Sequence, residues 1–462
     1  MRMRLLRHTL TRRPTTPPLR LTAPLPRCSY SSDASAPPPA PTPISLSPRA
    51  FSTPLAKQLT QAIATTGPIP LAAYMRACLT SSSGGYYTTH SDPFGRRGDF
   101  ITSPEISQLF GEMLGLWVVT EWLSQGKRSS GVSLIELGPG RGTLMDDVLR
   151  TISSFQPLRS AIEHIYLVEA SPTLRATQAR LLCGADVSPQ ELPDKSAFTA
   201  KTKYGIPVTW YTELSSVPKT PSPFILAHEF FDALPIHAFE ATNEGWRELL
   251  VTPVAPGEAK PAVIGGTAPE FALTRSKIAT PHARLLPELS DRYKALKNRP
   301  GSIIEVSPES LTVMEDIAKR IGEQKAGASL VVDYGPLDTV PVNSLRGIKS
   351  HRMVSPFSSP GEVDVSADVD FYALAERALL ASEDVEVHGP VEQGAFLSMM
   401  GIRERMQRLA SGLDEEKSKD LRRGVERLAE RGGGAMGKVY KVMSVVPERG
   451  GARPVGFGGQ VV

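Results

Sequence analysis

Three acidic groups in this chain stand where apolar runs end, and each has the composition to hold a ligand at the edge of a sheet. The first is Glu136, preceded by the run from Val132 and followed by glycine at alternate positions in Gly138-Pro139-Gly140-Arg141-Gly142. In open α/β sheets ligands sit beyond the carboxyl ends of the strands, and a loop poor in side chain lets backbone N–H groups approach them. A dinucleotide fingerprint needs glycine where Thr143 stands, a phosphate loop needs a lysine that does not follow, and Glu136 would repel a pyrophosphate. The loop therefore suits a ligand whose near end is cationic. The second group is Glu169, closing Ile165-Tyr166-Leu167-Val168, where a carboxylate can accept both hydroxyls of a ribose. The third is Glu229-Phe230-Phe231-Asp232, which runs straight on from Phe224-Ile225-Leu226-Ala227-His228.

Strands and helices must bring these groups together. The spacing predicts strands at 132–137, 165–169, 208–211, 224–227, 330–335 and 439–445, with a helix over 144–153 returning from the glycine loop. Thr53-Pro54 and Ser171-Pro172 each open a helix by capping, and a further helix follows Pro70. In Gly98-Asp99-Phe100-Ile101-Thr102-Ser103-Pro104-Glu105, Ser103 is expected to cap a helix that continues through Ile106, Leu109, Phe110, Met113 and Trp117, with Gly111 and Gly115 marking close packing. Residues 81–97 read as a surface loop, 237–280 as inserted β-hairpins and 339–366 as a polar loop. Helices are expected over 370–380 and 395–409, with a frayed tail from Glu448. Ile303-Ile304-Glu305 repeats the strand-then-acid layout, but it follows the fourth strand and a long insertion, so Glu169 is the better ribose acid.

Charge totals +4, from 52 basic and 48 acidic residues. Residues 1–32 carry seven arginines and no acid, so the rest of the chain is at −3 and is no polyanion or nucleic-acid binder by composition. That arginine-rich, acid-free start reads as a mitochondrial transit peptide, followed by a stiff proline spacer from Pro37 to Pro43. Cys28, Cys78 and Cys183 form no Cys-x-x-Cys, and the eight histidines form no His-x-x-x-His, so neither a disulfide framework nor a metal is expected. No run is long enough to cross a bilayer. The expected organisation is leader and linker at 1–50, an N-terminal helical region at 51–130, a main domain at 131–447 with an insertion around 237–300, and a flexible tail at 448–462.

Glu136 to Gly142, with Glu169, resembles the first motif and ribose acid of the class I S-adenosylmethionine (SAM) methyltransferases. Adding the block 98–105, Glu229-Phe230-Phe231-Asp232-Ala233-Leu234-Pro235, Asp333-Tyr334-Gly335 and Ala367-Asp368-Val369-Asp370-Phe371, the chain resembles the MidA-like family of mitochondrial complex I assembly methyltransferases. One departure is His228, where that pattern has Asn. The resemblance implies a class I, Rossmann-like α/β fold with a mostly parallel sheet, an N-terminal helical region and inserted β/α elements. It implies SAM as cofactor, held by Glu136, Gly138, Pro139, Gly140, Gly142, Glu169, Thr102 and Ser103. It also implies symmetric dimethylation, in the matrix, of an arginine on a core subunit of NADH:ubiquinone oxidoreductase, with peripheral contact to inner-membrane assembly intermediates. For such chemistry Glu229 and Asp232 would grip the guanidinium by charge-assisted hydrogen bonds, with Phe230 and Phe231 walling the slot. Two other readings compete: an assembly chaperone that keeps the fold without catalysis, and a quinone or small-molecule methyltransferase, which the paired acids disfavour.

Overall fold

The computed structural model describes residues 51–89, 102–255 and 268–459. The leader and proline spacer, Gly98 to Ile101 and the last three residues lie outside the described residues. The central sheet contains Val132–Leu137 (β1), Ile162–Val168 (β2), Pro207–Tyr211 (β3), Ser222–His228 (β4), Ala328–Tyr334 (β5), Val385–Glu392 (β6) and Tyr440–Pro447 (β7). Their order is β6-β7-β5-β4-β1-β2-β3, and the short strands Phe198–Lys201 and Gln190–Glu191 extend the edge beyond β3. From β3 to β5 the pairing is parallel, with Glu136 opposite Leu226 of β4 and Leu167 of β2. The last strand, β7, enters antiparallel between β5 and β6. Chain order reverses at β1, so the connections leaving β1 and β4 part to opposite sides and open a crevice at their carboxyl ends.

All six residues of β1 are buried, as expected where helices cover both faces of a parallel sheet. Helices that position the site and its support include Pro54–Thr66 (α1), Leu71–Thr80 (α2), Gln108–Ser124 (α3), Thr143–Ile152 (α4), Pro172–Cys183 (α5), Pro308–Gln324 (α6) and Phe371–Ala381 (α7). Alternation sends Leu134, Leu226, Val332 and Val442 to one face, under Phe110, Met113 and Trp117 of α3 and Met145 and Val148 of α4. Ile135, Ile225, Val331 and Met443 go to the other, against Met314 and Ile317 of α6 and Leu374 and Ala375 of α7.

A second, wholly antiparallel sheet joins Ile69–Pro70, Gly245–Pro253, His237–Thr242 and Ile303–Val306, with Phe271–Arg275 also paired to Gly245–Pro253. Leu55 and Leu59 of α1 and Tyr74 and Met75 of α2 pack on it with Leu249, Val251 and Phe271. Glu305 lies on this sheet, where its carboxylate accepts the N–H of Ser344 at 2.9 Å and the Ser344 hydroxyl. Among the described residues no helix is long and apolar enough to cross a membrane.

Several local expectations change in the folded chain. Ser103 is the first residue of a single helical turn, Ser103–Ile106, and caps nothing. Ser107 is extended, breaks the helix and caps α3 by accepting the Leu109 N–H at 3.3 Å. Residues 339–366 are not a plain loop: Arg346–Lys349, Arg352–Val354 and Asp364–Ser366 pair as a small antiparallel sheet whose strands are too short to show a period. The helix expected over 395–409 is two, Gln393–Met399 and Ile402–Ala410, separated by Gly401 at φ +82°, and Glu415–Ala429 is an additional helix. The surface loop from Ser81 contains the short helix Tyr86–Thr89, with Tyr86 buried. Nor does the tail fray at Glu448, because Phe457 is buried with its ring 5.6 Å from that of Phe396.

At the α3–α4 crossing a Cβ on Gly111 would stand 2.4 Å from Asp147 Cβ, an atom that cannot swing away. Gly111→Ala gains about 1 kcal/mol of helix propensity but meets an overpacking penalty of about 1–3 kcal/mol. Denaturant unfolding is expected to show a net loss of stability of about 1 kcal/mol, with α3 displaced from α4.

Candidate active site

The glycine loop leaves β1 by a sharp left-handed turn. Gly138 has φ +63°, and a Cβ there would lie 3.0 Å from the Phe230 ring, so the loop after β1 and the turn after β4 are in direct contact. Gly142, at φ +88°, precedes α4 and packs against Gln178 of α5. Pro139 is buried between them.

Gln178 is a joint that the sequence analysis missed. Its amide donates to the Gly140 carbonyl at 2.7 Å and to Glu169 Oε2 at 3.0 Å, while its oxygen accepts the Trp210 indole N–H at 2.9 Å. Glu169 Oε1 accepts the Ser171 N–H at 2.7 Å. Each carboxylate oxygen keeps a second lone pair that can accept a further hydroxyl. Burial raises Glu169 to about 7 despite these donors.

Glu136 is 2% exposed and its Oε2 is buried without a hydrogen-bond partner. Burial and then the charge of Glu169 push its carboxyl up to about 8. The Ser103 hydroxyl is likewise buried and unpartnered, and Thr102 precedes it, half-buried, at the start of the turn. Glu105 reaches the loop, accepting from the Thr143 hydroxyl at 2.7 Å and lying 3.5 Å from Arg141. A buried acid with an open oxygen beside a loop of little side chain fits a sulfonium nucleoside with a cationic amino-acid end.

At the end of β4, Glu229 takes φ +49°, a left-handed conformation that costs a non-glycine residue about 1–2 kcal/mol and redirects the chain. The Phe230, Phe231 and Asp232 N–H groups then all donate to Asp333 Oδ2, at 3.2, 3.0 and 3.3 Å. Glu229 accepts from the Tyr440 hydroxyl and from the Ser103 backbone N–H, yet its Oε1 has no hydrogen-bond partner. Burial, with a contribution from Asp232, pushes its carboxyl up to about 8. Asp232 Oδ2 accepts from the Tyr334 hydroxyl, which also lies 3.0 Å from Ser366 Oγ, and Oδ1 is unpartnered.

The two acids are not equivalent. The Arg346 guanidinium sits 4.2 Å from the Tyr334 ring centroid and bonds Asp368 at 2.6 Å. Its charge acts on Asp232, so Asp232 is partly compensated from within the fold. Phe231 does not wall an open slot: it is 2% exposed and packs in the core with Ile225, Ala227 and Val369. Phe230, half-buried over Gly138, is the aromatic that borders the crevice. His228 is a core histidine, its ring 5.0 Å from Phe110 and held neutral down to about 3 by burial, so its 3.4 Å approach to Glu229 is no ion pair at neutral pH.

A carboxyl near 8 in the folded protein and 4.5 ordinarily keeps a proton that the unfolded chain has shed. Its contribution to stability is therefore present below 4.5 and lost as pH rises through 8. Thermal unfolding of the cofactor-free protein should fall between about pH 5 and pH 8. Glu136→Gln should match the wild type near about pH 5 and unfold at a higher temperature than it at about pH 8. A parallel offset at both pH values would show that Glu136 is not the titrating group.

Comparison with known proteins places the chain in a family. Residues 113–391 match the family model described as "Putative S-adenosyl-L-methionine-dependent methyltransferase". A Danio rerio protein, "Protein arginine methyltransferase NDUFAF7, mitochondrial", is 40% identical over 361 residues, covering 78% of this chain and 79% of its own. The Homo sapiens protein of that name is 40% identical over 366 residues, covering 79% and 77%. A Burkholderia thailandensis protein crystallised with S-adenosyl-homocysteine shares the fold at TM-score 0.64 and 22% identity, covering 92% of this chain and 97% of its own. With an acid-flanked glycine loop, a matching family model and relatives that match over most of its length, this chain belongs to the family of SAM-dependent methyltransferases that contains these mitochondrial proteins.

Proposed function

We propose that this protein is a mitochondrial SAM-dependent protein arginine methyltransferase, and that its target is an arginine on a core subunit of NADH:ubiquinone oxidoreductase, dimethylated symmetrically in the matrix during assembly. One observation carries the arginine reading: Glu229 Oε1 and Asp232 Oδ1 are buried carboxylate oxygens without hydrogen-bond partners, on a turn that touches the glycine loop through Phe230 and Gly138. Uncompensated carboxylates in a dry site call for a cation, and a guanidinium satisfies two of them at once. The names of the relatives and the acid-free composition of residues 1–32 support the mitochondrial arginine assignment.

When bound, SAM supplies a methyl group on a sulfonium. Glu136, the 138–142 loop and Ser103 would hold the amino-acid end of that cofactor, and Glu169 its ribose. The remaining work is alignment, worth on the order of 7–11 kcal/mol where reacting groups are well oriented. Glu229 and Asp232 bind the guanidinium and draw its charge towards the two carboxylates, with Glu229 Oε1 accepting an N–H of the nitrogen whose lone pair faces the loop. Tyr440 and the Ser103 N–H keep Glu229 in place, and Tyr334 does so for Asp232. Glu229 Oε1 then takes the proton that the alkylated nitrogen sheds, a role suited to a group whose free-enzyme pKa lies near 8.

Two measurements test this. Glu229→Gln should bind SAM as the wild type does in calorimetry, yet methylate the respiratory subunit about 100-fold or more slowly, read as dimethylarginine by mass spectrometry. Methylation at the wild-type rate would remove Glu229 from the chemistry, and normal complex assembly by the inactive variant would favour the chaperone reading. For the wild type, kcat/KM should climb with pH and level off above about 8, where the free acid has ionised.

A further inference from the structure

The second sheet carries a group of donors that the methyl-transfer site does not use. His237 opens the strand His237–Thr242, and Glu248 lies on its antiparallel neighbour Gly245–Pro253, where it pairs with Phe239. The period of two puts His237, Phe239 and Glu248 on one face. His282 stands in the first turn of the short helix Pro281–Leu285, which packs over that face.

His237 Nδ1 is 2.7 Å from Glu248 Oε1, and His282 Nδ1 is 3.4 Å from the same oxygen. The imidazole centroids are 4.3 Å apart, and all three donor atoms lie within 4.8 Å of one another. The Thr280 hydroxyl donates to Glu248 Oε2. Exposure is graded across the group: the Glu248 side chain is 1% exposed, His237 10% and His282 46%.

We propose that His237, Glu248 and His282 form a zinc site. Two imidazole nitrogens and one carboxylate oxygen are a known donor set for this ion, whose bonds of about 2.0–2.2 Å place tetrahedral donors roughly 3.3 Å apart. The two separations from Glu248, 2.7 and 3.4 Å, lie within an ångström of that spacing, and the histidine nitrogens, within 4.8 Å of each other, would draw together about the ion. Two imidazole rings converge on one buried carboxylate oxygen, and a divalent cation between them would compensate the charge of Glu248. Thr280 orients the carboxylate, as outer-shell donors do for metal-bound acids. The half-exposed His282 side leaves the fourth position to water, and the ion would clasp the helix Pro281–Leu285 to the hairpin beneath it. The histidines are far apart in the chain, so no spacing motif announces the site. This inference stands apart from the methyltransferase reading and does not depend on it.

The test uses the untagged full chain, stripped with a chelator and titrated with zinc alone by calorimetry. One equivalent should bind, and chelation should lower the unfolding temperature of the wild type but not of His282→Ala. Because His282 is half exposed, that variant should fold, and its zinc affinity should drop by at least about 10-fold. His282→Cys should keep one equivalent and, with cobalt substituted, show a thiolate charge-transfer band. A wild type that takes up no zinc, or a His282→Ala protein that binds it as tightly as the wild type, overturns the proposal.

Discussion

Three consecutive backbone N–H groups, those of Phe230, Phe231 and Asp232, converge on one oxygen of Asp333, and the N–H of Tyr334 donates to the other at 2.9 Å. This carboxylate ties the end of β4 to the end of β5. Without it, buried donors at the turn would go unmatched at about 1–3 kcal/mol each, and nothing would hold Glu229 in its left-handed conformation. The neighbouring side chains follow from the same tie. Tyr334, next in the chain to Asp333, reaches Asp232, and Tyr440 on the adjacent β7 reaches Glu229.

The crevice is poised between two charge states. Glu136, Glu169 and Glu229 are all raised by burial, so the empty cleft is most comfortable with its acids protonated. Cations reverse that preference, since an ammonium or guanidinium restores the charge balance that desolvation removed. The buried acids thus cost stability once ionised in the empty cleft. Gln178 coordinates the arrangement by binding the glycine loop, the acid after β2 and Trp210 of β3 through one amide. Glu305 shares the local pattern of Glu169 but sits on another sheet, where Ser344 satisfies it.

Much of the fold was legible because its signals are local. Apolar runs gave the strands β1, β2, β4, β5 and β7, and Thr53-Pro54 and Ser171-Pro172 open α1 and α5 by capping, as their residue types require. The glycine loop was legible for the same reason: alternating glycine after an acid constrains the backbone at that spot, whatever surrounds it. Where a signal was weak the reading failed. Strands of three or four residues in 346–366 are too short for a period, and the cap expected at Ser103 is instead Ser107, where the chain breaks the helix.

By itself, then, the amino-acid order determined that β1, β2, β4, β5 and β7 are strands, that β1, β2 and β4 lead into acids, and that a side-chain-poor loop follows Glu136, all consequences of forces acting within a few residues. Tertiary structure alone decided which aromatic of the Phe230-Phe231 pair enters the core and which borders the crevice. It also decided that Asp333, Tyr334, Tyr440 and Gln178 support the site, that Arg346 compensates Asp232, and that His237 and His282 meet at Glu248. The physical reason is that hydrogen bonds and Coulomb interactions between remote residues depend on strand order and register. Those are set by the packing of whole sheets and leave no periodic trace in the chain.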